Sequence, residues 1–306
     1  MNGATTVVDV GQHRIEATVF GSGQPAVVIE PPLGGNAAAW RPIAQTMAEV
    51  TTVVTYDRAP YGASSPARDG RTPGEIAADL DGVLRSLGVT GSLVLVGHSL
   101  GGIYMRAYAA RQLDQVAGMV LVESSHESQR QVLAARFTPR DRLLVALTVP
   151  QMIVRSKQWR GGADRRSNIR EYRMFKRLGA ADQALARGGL GDRPLIVLTR
   201  GPGGKTGADR LWQAWYGLQQ DLARLSANTR HVVSDSPDHY LNQGVPELVI
   251  TAITDVVRSA RTRTPLGDLV AASEGERLPG RDLSQRNAGE ALVAEQHAGQ
   301  VQADLA

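Results

Sequence analysis

Short apolar runs and longer amphipathic segments alternate along most of the chain. The short runs, rich in valine, leucine and isoleucine, are typical of strands inside a sheet that is covered on both faces. Segments with apolar residues at every third or fourth position lie between them and predict helices. We predict strands over residues 5–10, 15–20, 26–30, 52–56, 92–96, 116–122, 195–198 and 231–234.

The clearest helix signal begins at Thr72. Thr72 can cap a helix, Pro73 suits the first helical position, and Glu75 can complete a capping box. Gly88 then ends the helix. Strands that alternate with helices favour an α/β fold, in which a mostly parallel central sheet carries helices on both faces. We predict further helices over residues 38–50, 103–111, 211–225 and 246–260.

The alternation is interrupted between residues 126 and 190, where the pattern is helical and shows no strand. We interpret residues 1–125 and 191–261 as one α/β core and residues 126–190 as a helical cap inserted into it. Residues 262–306 are polar and rich in glycine, glutamate and glutamine, which predicts a disordered or loosely helical tail.

Composition narrows the class of protein. The chain has no cysteine, which excludes disulfides, thiolate metal sites and a cysteine nucleophile. The net charge of +4 is spread out, and aromatic residues make up only 5%, so we do not predict nucleic-acid binding. No apolar stretch approaches the ~20 residues of a membrane span, and the N-terminus does not resemble a signal peptide. We expect a soluble, cytoplasmic protein without membrane insertion.

The strongest chemical signal is the sequence Gly-His-Ser-Leu-Gly-Gly at residues 97–102, between the predicted strand 92–96 and the helix 103–111. A serine at the tip of such a strand-to-helix turn is held in a strained, exposed position. The residues two positions before and two positions after the serine must be very small because the strand and the helix cross there. Both residues, Gly97 and Gly101, are glycine. The helix then directs its free amides towards the group that the serine attacks. Ser99 is therefore the candidate nucleophile.

This elbow, together with the order and spacing of elements over residues 5–260, resembles the capped α/β-hydrolase superfamily. The resemblance implies a serine hydrolase with a Ser-His-acid triad and an acyl-enzyme intermediate. It also implies that the catalytic histidine lies in the loop after the last strand, which makes His239 the candidate base. No phosphate-binding glycine loop and no metal-ligand spacing occur, so we expect neither a cofactor nor a metal.

The acid is less clear from the sequence. In the superfamily it most often follows the strand at 195–198, but the first carboxylate there is Asp209, which looks like a helix start. Some members carry the acid after the preceding strand, where Glu123 follows residues 116–122. We therefore favour Glu123 and keep Asp209, then Asp235 and Asp238, as alternatives.

Two backbone amides are expected to form the oxyanion hole. One belongs to Leu100, the residue after the nucleophile. The resemblance assigns the other to Leu33, in the loop that follows the strand 26–30. Pro32 occupies the position before it and has no N–H, which leaves the donor itself intact. The sequence from Asp57 to Ser64 resembles a conserved turn of the superfamily, and we interpret it as a structural brace.

The cap carries nine lysine or arginine residues between 155 and 177, which we interpret as a solvated face, with an anionic substrate or a membrane surface as alternatives. The apolar run 143–153 is expected to pack on the core and line an acyl pocket. The function that we predict is hydrolysis of a small-to-medium carboxylic ester or related acyl compound. A non-catalytic receptor or interaction module on the same fold and an acyltransferase with the same triad remain as alternatives.

Overall fold

The computed structural model describes residues 3–67, 71–138, 165–175, 189–202 and 209–273. One compact unit spans residues 1–269, and a second spans 270–306. The predicted pocket-lining run 143–153 lies outside the described residues, as does the predicted tail beyond 273.

The described strands form one eight-stranded sheet in the order β1-β2-β4-β3-β5-β6-β7-β8. The pairs β1–β2 and β2–β4 are antiparallel, and every other neighbouring pair is parallel. The mostly parallel sheet confirms the predicted α/β fold. The strands are β1 (Ala4–Asp9), β2 (Arg14–Phe20), β3 (Ala26–Glu30), β4 (Val53–Asp57), β5 (Leu93–His98), β6 (Val116–Val122), β7 (Leu195–Thr199) and β8 (Thr229–Val233).

Helices cover both faces of this sheet, and none in the described ranges is long and apolar enough to cross a bilayer. The capping box predicted at Thr72 is present, because Thr72 accepts from the Glu75 amide at 3.2 Å and Glu75 accepts from the Thr72 amide at 2.8 Å. The helices are α1 (Arg41–Met47), α2 (Pro73–Ser86), α3 (Leu100–Arg111), α4 (Gln129–Ala134), α5 (Arg165–Phe175), α6 (Asp209–Ala223), α7 (Leu241–Gly244), α8 (Pro246–Thr262) and α9 (Leu266–Ser273).

Side chains of β5 point alternately into two hydrophobic cores. Leu95 lies in one core with Leu80 of α2 and Met105 of α3. Val96 lies in the opposite core with Ile253 of α8. All four aliphatic residues of β5 are almost completely buried, and burial of each such side chain contributes about 1.5–3 kcal/mol. Packing in the two cores fixes the position of β5 at the centre of the sheet, and it therefore also fixes the carboxyl end of this strand.

The core continues further along the chain than the sequence predicted. Arg263 adopts a left-handed conformation, with φ of 57°, and ends α8. The chain then turns into α9, where Leu266 and Leu269 are buried in the same core as Ile253. The predicted polar tail from residue 262 is therefore wrong for residues 262–269, because two buried leucines in a polar segment are enough to dock it.

Helices α4 and α5 lie within the segment predicted as the cap. Helix α5 spans Arg165–Phe175 and lies in the basic part of this segment. Met174 of α5 is buried in a small apolar cluster with residues of the core, so α5 packs directly on the α/β sheet unit.

Candidate active site

Ser99 lies between the end of β5 and the start of α3, at the carboxyl edge of the sheet. Its φ of 52° and ψ of −120° are rare for a residue other than glycine, and strain of this kind is concentrated at functional sites. Three backbone hydrogen bonds hold it there: the Ser99 amide donates to Val122 at 3.0 Å, and the Ser99 carbonyl accepts from the amides of Ser125 at 2.8 Å and Gly102 at 3.1 Å. Ser99 remains partly exposed, as the proposed nucleophile must be.

Glycines next to Ser99 allow the chain segments to approach closely. A Cβ atom on Gly97 would lie 2.6 Å from the Cα atom of Gly102. A Cβ atom on Gly101 would meet the carbonyl oxygens of Glu30 and Pro31, the latter at 2.7 Å. Both contacts are with backbone, which cannot easily move. The elbow therefore needs glycine on both sides of the serine, as its sequence predicts.

His239 lies in the loop between β8 and α7, against the residue that precedes Ser99. Its carbonyl is 2.9 Å from Nε2 of His98, and the two imidazole rings are 5.1 Å apart. Burial, and then the nearby His239, hold the pKa of His98 well below its usual 6.5, so His98 is neutral. Nε2 of His98 must then carry the proton and donate it to the His239 carbonyl.

Glu123 directly follows β6 and contacts the His239 ring. Oε2 of Glu123 lies 3.1 Å from Nδ1 of His239. Oε1 accepts from the Arg200 amide at 2.8 Å and from the Trp215 indole at 3.1 Å. The glutamate is completely buried, whereas the His239 side chain is 37% exposed. Nε2 is consequently the ring nitrogen left to take part in proton transfer.

Of the other carboxylates considered from the sequence, Asp235 and Asp238 have described side chains, and neither is hydrogen-bonded to this ring. Asp235 and Asp238 are exposed, and Asp238 accepts from the Tyr240 amide of its own loop at 2.9 Å. Asp209 begins α6, and its side chain lies outside the described atoms. Glu123 is thus the carboxylate that the structure places at His239.

The two expected oxyanion donors lie on neighbouring segments. Leu100 is the first residue of α3, so its amide has no partner within the helix. Leu33 is the second residue of a type II turn, in which the Gly35 amide donates to Pro32 at 3.0 Å and Gly34 has a φ of 68°. The amide of the second residue is not used by such a turn. Neither the helix nor the turn therefore uses these two amides.

The turn after β4 acts as the brace that its sequence predicts. Oδ1 of Asp57 accepts from the Ala37 amide at 2.7 Å, which holds the segment after the Leu33 turn. The Ser64 hydroxyl donates to the Asp57 carbonyl and accepts from the Glu16 amide at 2.8 Å. These contacts tie β2, β4 and the loop after β3 together at one edge of the sheet.

Histidines other than His239 have partners elsewhere. Nε2 of His126 lies 3.0 Å from a carboxylate oxygen of Asp221, which fastens the start of the cap segment to α6. Nε2 of His231 lies 2.7 Å from the Thr199 hydroxyl. Burial lowers the pKa of both rings. Neither histidine contacts Glu123, and we assign both a structural role.

Sequence reasoning missed two residues at the Glu123 carboxylate. Arg200 follows β7, at the position where an acid was first sought, and its Nε atom lies 3.3 Å from Oε2 of Glu123. Trp215 reaches the same carboxylate from α6. Neither stands in a recognisable motif, although the lack of a carboxylate after β7 was a signal that this loop has another role.

Comparisons with known proteins support the α/β-hydrolase fold. A family model described as alpha/beta hydrolase fold matches residues 25–152. The uncharacterised protein YqjL of Bacillus subtilis is 25% identical over 80% of this chain and 86% of its own length. The 2-(acetamidomethylene)succinate hydrolase of Mesorhizobium japonicum is 24% identical over 82% of this chain and 94% of its own length. The solved enol-lactonase of Burkholderia xenovorans has a TM-score of 0.62 at 18% identity, over 83% of this chain and all of its own.

Proposed function

This chain belongs to the α/β-hydrolase superfamily, and on that premise we propose that it is a serine hydrolase of small-to-medium carboxylic esters or related acyl compounds. The observation that carries the proposal is the 3.1 Å approach of Glu123 to the Nδ1 atom of His239. A buried carboxylate in that position orients the imidazole and stabilises its protonated form.

In the proposed reaction, the Ser99 hydroxyl oxygen attacks the acyl carbonyl while Nε2 of His239 takes its proton. The amides of Leu33 and Leu100 bind the oxyanion of the tetrahedral intermediate, and Glu123 stabilises the imidazolium. When the intermediate collapses, the carbon–oxygen bond to the alcohol breaks and His239 gives its proton to the departing oxygen. Water, deprotonated by His239, then attacks the acyl-enzyme and releases the acid and free Ser99.

Similarity to a hydrolase of 2-(acetamidomethylene)succinate and a fold shared with an enol-lactonase support the hydrolytic class. The first name denotes a hydrolysis, and the second denotes action on a lactone, which is a cyclic ester. A serine at position 99 also fits acyl chemistry, since it forms the ester intermediate that water can cleave.

The test is turnover of a series of p-nitrophenyl esters from acetate to decanoate. We expect the wild type to hydrolyse part of the series, and Ser99→Ala to lower kcat by at least ~10³-fold because the nucleophile is lost. Ser86→Ala is the matched control, since Ser86 is exposed on α2 and should leave kcat unchanged. Lack of turnover across the series, or full activity in folded Ser99→Ala, would contradict the proposal.

A further inference from the structure

A carboxylate from the predicted cap is largely buried at the edge of the core, with 10% of its side chain exposed. Glu171 of α5 uses both of its oxygens: Oε1 accepts from Arg58 Nε at 2.7 Å and from the Tyr104 hydroxyl at 2.8 Å. Oε2 accepts from Arg58 Nη2 at 3.0 Å and from the Tyr61 hydroxyl. Burial by itself would raise the pKa of Glu171, but the Arg58 cation and these hydrogen bonds outweigh it and lower the pKa. Glu171 is therefore an anion paired with Arg58.

The same arginine holds the loop that carries the proposed oxyanion donor. Nη1 of Arg58 donates to Glu30 at 2.7 Å and to the Pro31 carbonyl at 3.0 Å. Nη2 donates to the Pro32 carbonyl at 2.8 Å. A guanidinium has five N–H donors, and those of Arg58 are matched by two oxygens of Glu171, one of Glu30 and these two carbonyls. No other side-chain geometry could serve all five acceptors.

Residues 31 and 32 need this support because both are proline. Proline has no N–H, so neither residue can anchor the loop through its own amide. Their carbonyls are the groups that remain, and Arg58 binds both. Leu33 follows immediately, so the position of its amide depends on where Arg58 holds Pro32.

Helix α5 also shares one apolar cluster with the side chains of both proposed donors. Met174 lies in one apolar cluster with Leu100, and Leu33 and Phe175 pack against that cluster. The polar contact through Glu171 and this apolar contact come from the same face of α5. Docking of α5 therefore acts on the loop after β3 and on the start of α3 together.

We propose that Arg58 and Glu171 are positioning residues for the oxyanion hole, through which the docked helix α5 holds the Leu33 amide in place. The inference rests on the proposed function, because it concerns the same reaction. Neither side chain needs to touch the substrate. If the pair only fastened the cap, its loss would lower stability and leave the affinity for a tetrahedral adduct unchanged.

The experiment compares Glu171→Gln and Arg58→Lys with the wild type by kcat, KM and inhibition by an alkyl boronic acid. A boronate bound to Ser99 is tetrahedral and carries an oxyanion, whereas KM follows ground-state binding. We expect each variant to lower kcat by about 10- to 100-fold and to weaken boronate inhibition by a similar factor, with KM changed less than about threefold. Asp79→Asn is the control, because Asp79 pairs with Arg71 at a similar depth outside this network and should change neither value.

Assays are run well below the unfolding temperature of each variant, with the fold checked by circular dichroism. Wild-type kcat and boronate inhibition in folded Glu171→Gln would overturn the inference and leave the proposed function standing. If Glu171→Gln does not fold, Arg58→Lys decides alone: it keeps a cation but cannot serve five acceptors, and unchanged kcat in it would overturn the inference. A wild type that neither hydrolyses esters nor binds the boronate would instead contradict the proposed function.

Discussion

The Nδ1 atom of His239 lies 3.1 Å from Oε2 of Glu123, which follows β6, the neighbour of the strand β5 that ends just before Ser99. The position after β7 holds Arg200, whose amide and guanidinium both contact the same carboxylate. The loop after β7 therefore supplies a cation and an amide to the acid and does not supply the acid. This arrangement explains why a carboxylate could not be found after β7 in the sequence.

Glu123→Gln is predicted to lower kcat by about 10³- to 10⁴-fold with a small change in KM. The amide is nearly isosteric, but it cannot stabilise the imidazolium and it favours the wrong tautomer of His239. Steady-state kinetics on the preferred p-nitrophenyl ester measure the change. Asp235→Asn is the control, since Asp235 is exposed, and it should behave as the wild type. Loss of activity in Asp209→Asn with retention in Glu123→Gln would transfer the acid role to α6.

Gly101→Ala is predicted to lower both activity and stability. The added methyl group would meet backbone carbonyls of Glu30 and Pro31, so either the elbow or the loop before Leu33 must shift. We expect kcat to fall by about 100-fold, the cost of one displaced oxyanion donor.

The matched control is Gly217→Ala on α6, where an added Cβ atom meets nothing within 4 Å. Alanine should stabilise that exposed helix position by about 0.5–1 kcal/mol. Thermal unfolding and kcat of the two variants are compared with the wild type. Equal unfolding temperatures and equal kcat in the two variants would contradict the crowding at Gly101.

Glu30 is predicted to make the wild type less stable as the pH rises. Burial raises the pKa of Glu30 from 4.5 to about 7 in the folded protein, despite the opposing effect of Arg58. Between these two values the folded chain binds more protons than the unfolded chain, so the free energy of unfolding decreases with increasing pH. Glu30→Gln removes this dependence, and its free energy of unfolding relative to the wild type should rise between pH 4.5 and 8 by at most about 3 kcal/mol. Urea unfolding at several pH values measures the free energy of unfolding of both proteins. The same dependence on pH in Glu30→Gln and in the wild type would contradict the raised pKa of Glu30.

His98 is predicted to make the wild type less stable as the pH falls, which is the opposite of the effect of Glu30. The pKa of His98 in the folded protein lies well below 6.5. As the pH falls below 6.5, His98 therefore becomes protonated in the unfolded chain and stays neutral in the folded chain. Stability is therefore lost as the pH falls below 6.5. His98→Gln keeps a donor for the His239 carbonyl and cannot be protonated. Its unfolding temperature should fall less than that of the wild type between pH 7.5 and 5.5, and an equal fall in both proteins would argue against a buried neutral His98.

Local signals in the sequence were sufficient for the sheet and for the elbow. The apolar runs of β3 and β5 are buried along their whole length, and the glycines beside Ser99 meet backbone as the motif requires. The strand-end position of Glu123 was also a local signal, although it could not exclude Asp209. These features follow from residue type and short-range spacing, which a single sequence displays directly.

Contacts between distant residues could not be predicted in the same way. Arg58 and Glu171 are 113 positions apart, and Glu171 stands in a basic segment that was interpreted as a solvated face. Glu171 is largely buried because its partners come from two separate segments of the core, the turn after β4 with Arg58 and Tyr61, and α3 with Tyr104. Leu266 was missed for a similar reason, since its burial depends on packing in the distant core that contains Ile253.

The role of Ser99 is tested most directly by treating the protein with a fluorophosphonate probe and mapping the adduct by tandem mass spectrometry. Phosphonylation needs both an activated hydroxyl and the oxyanion amides, so one adduct on Ser99 is expected in the wild type and in Ser86→Ala. The adduct should be absent from Ser99→Ala. Folded wild-type protein that stays unlabelled after long incubation, or that carries its adduct on another residue, would contradict Ser99 as the nucleophile.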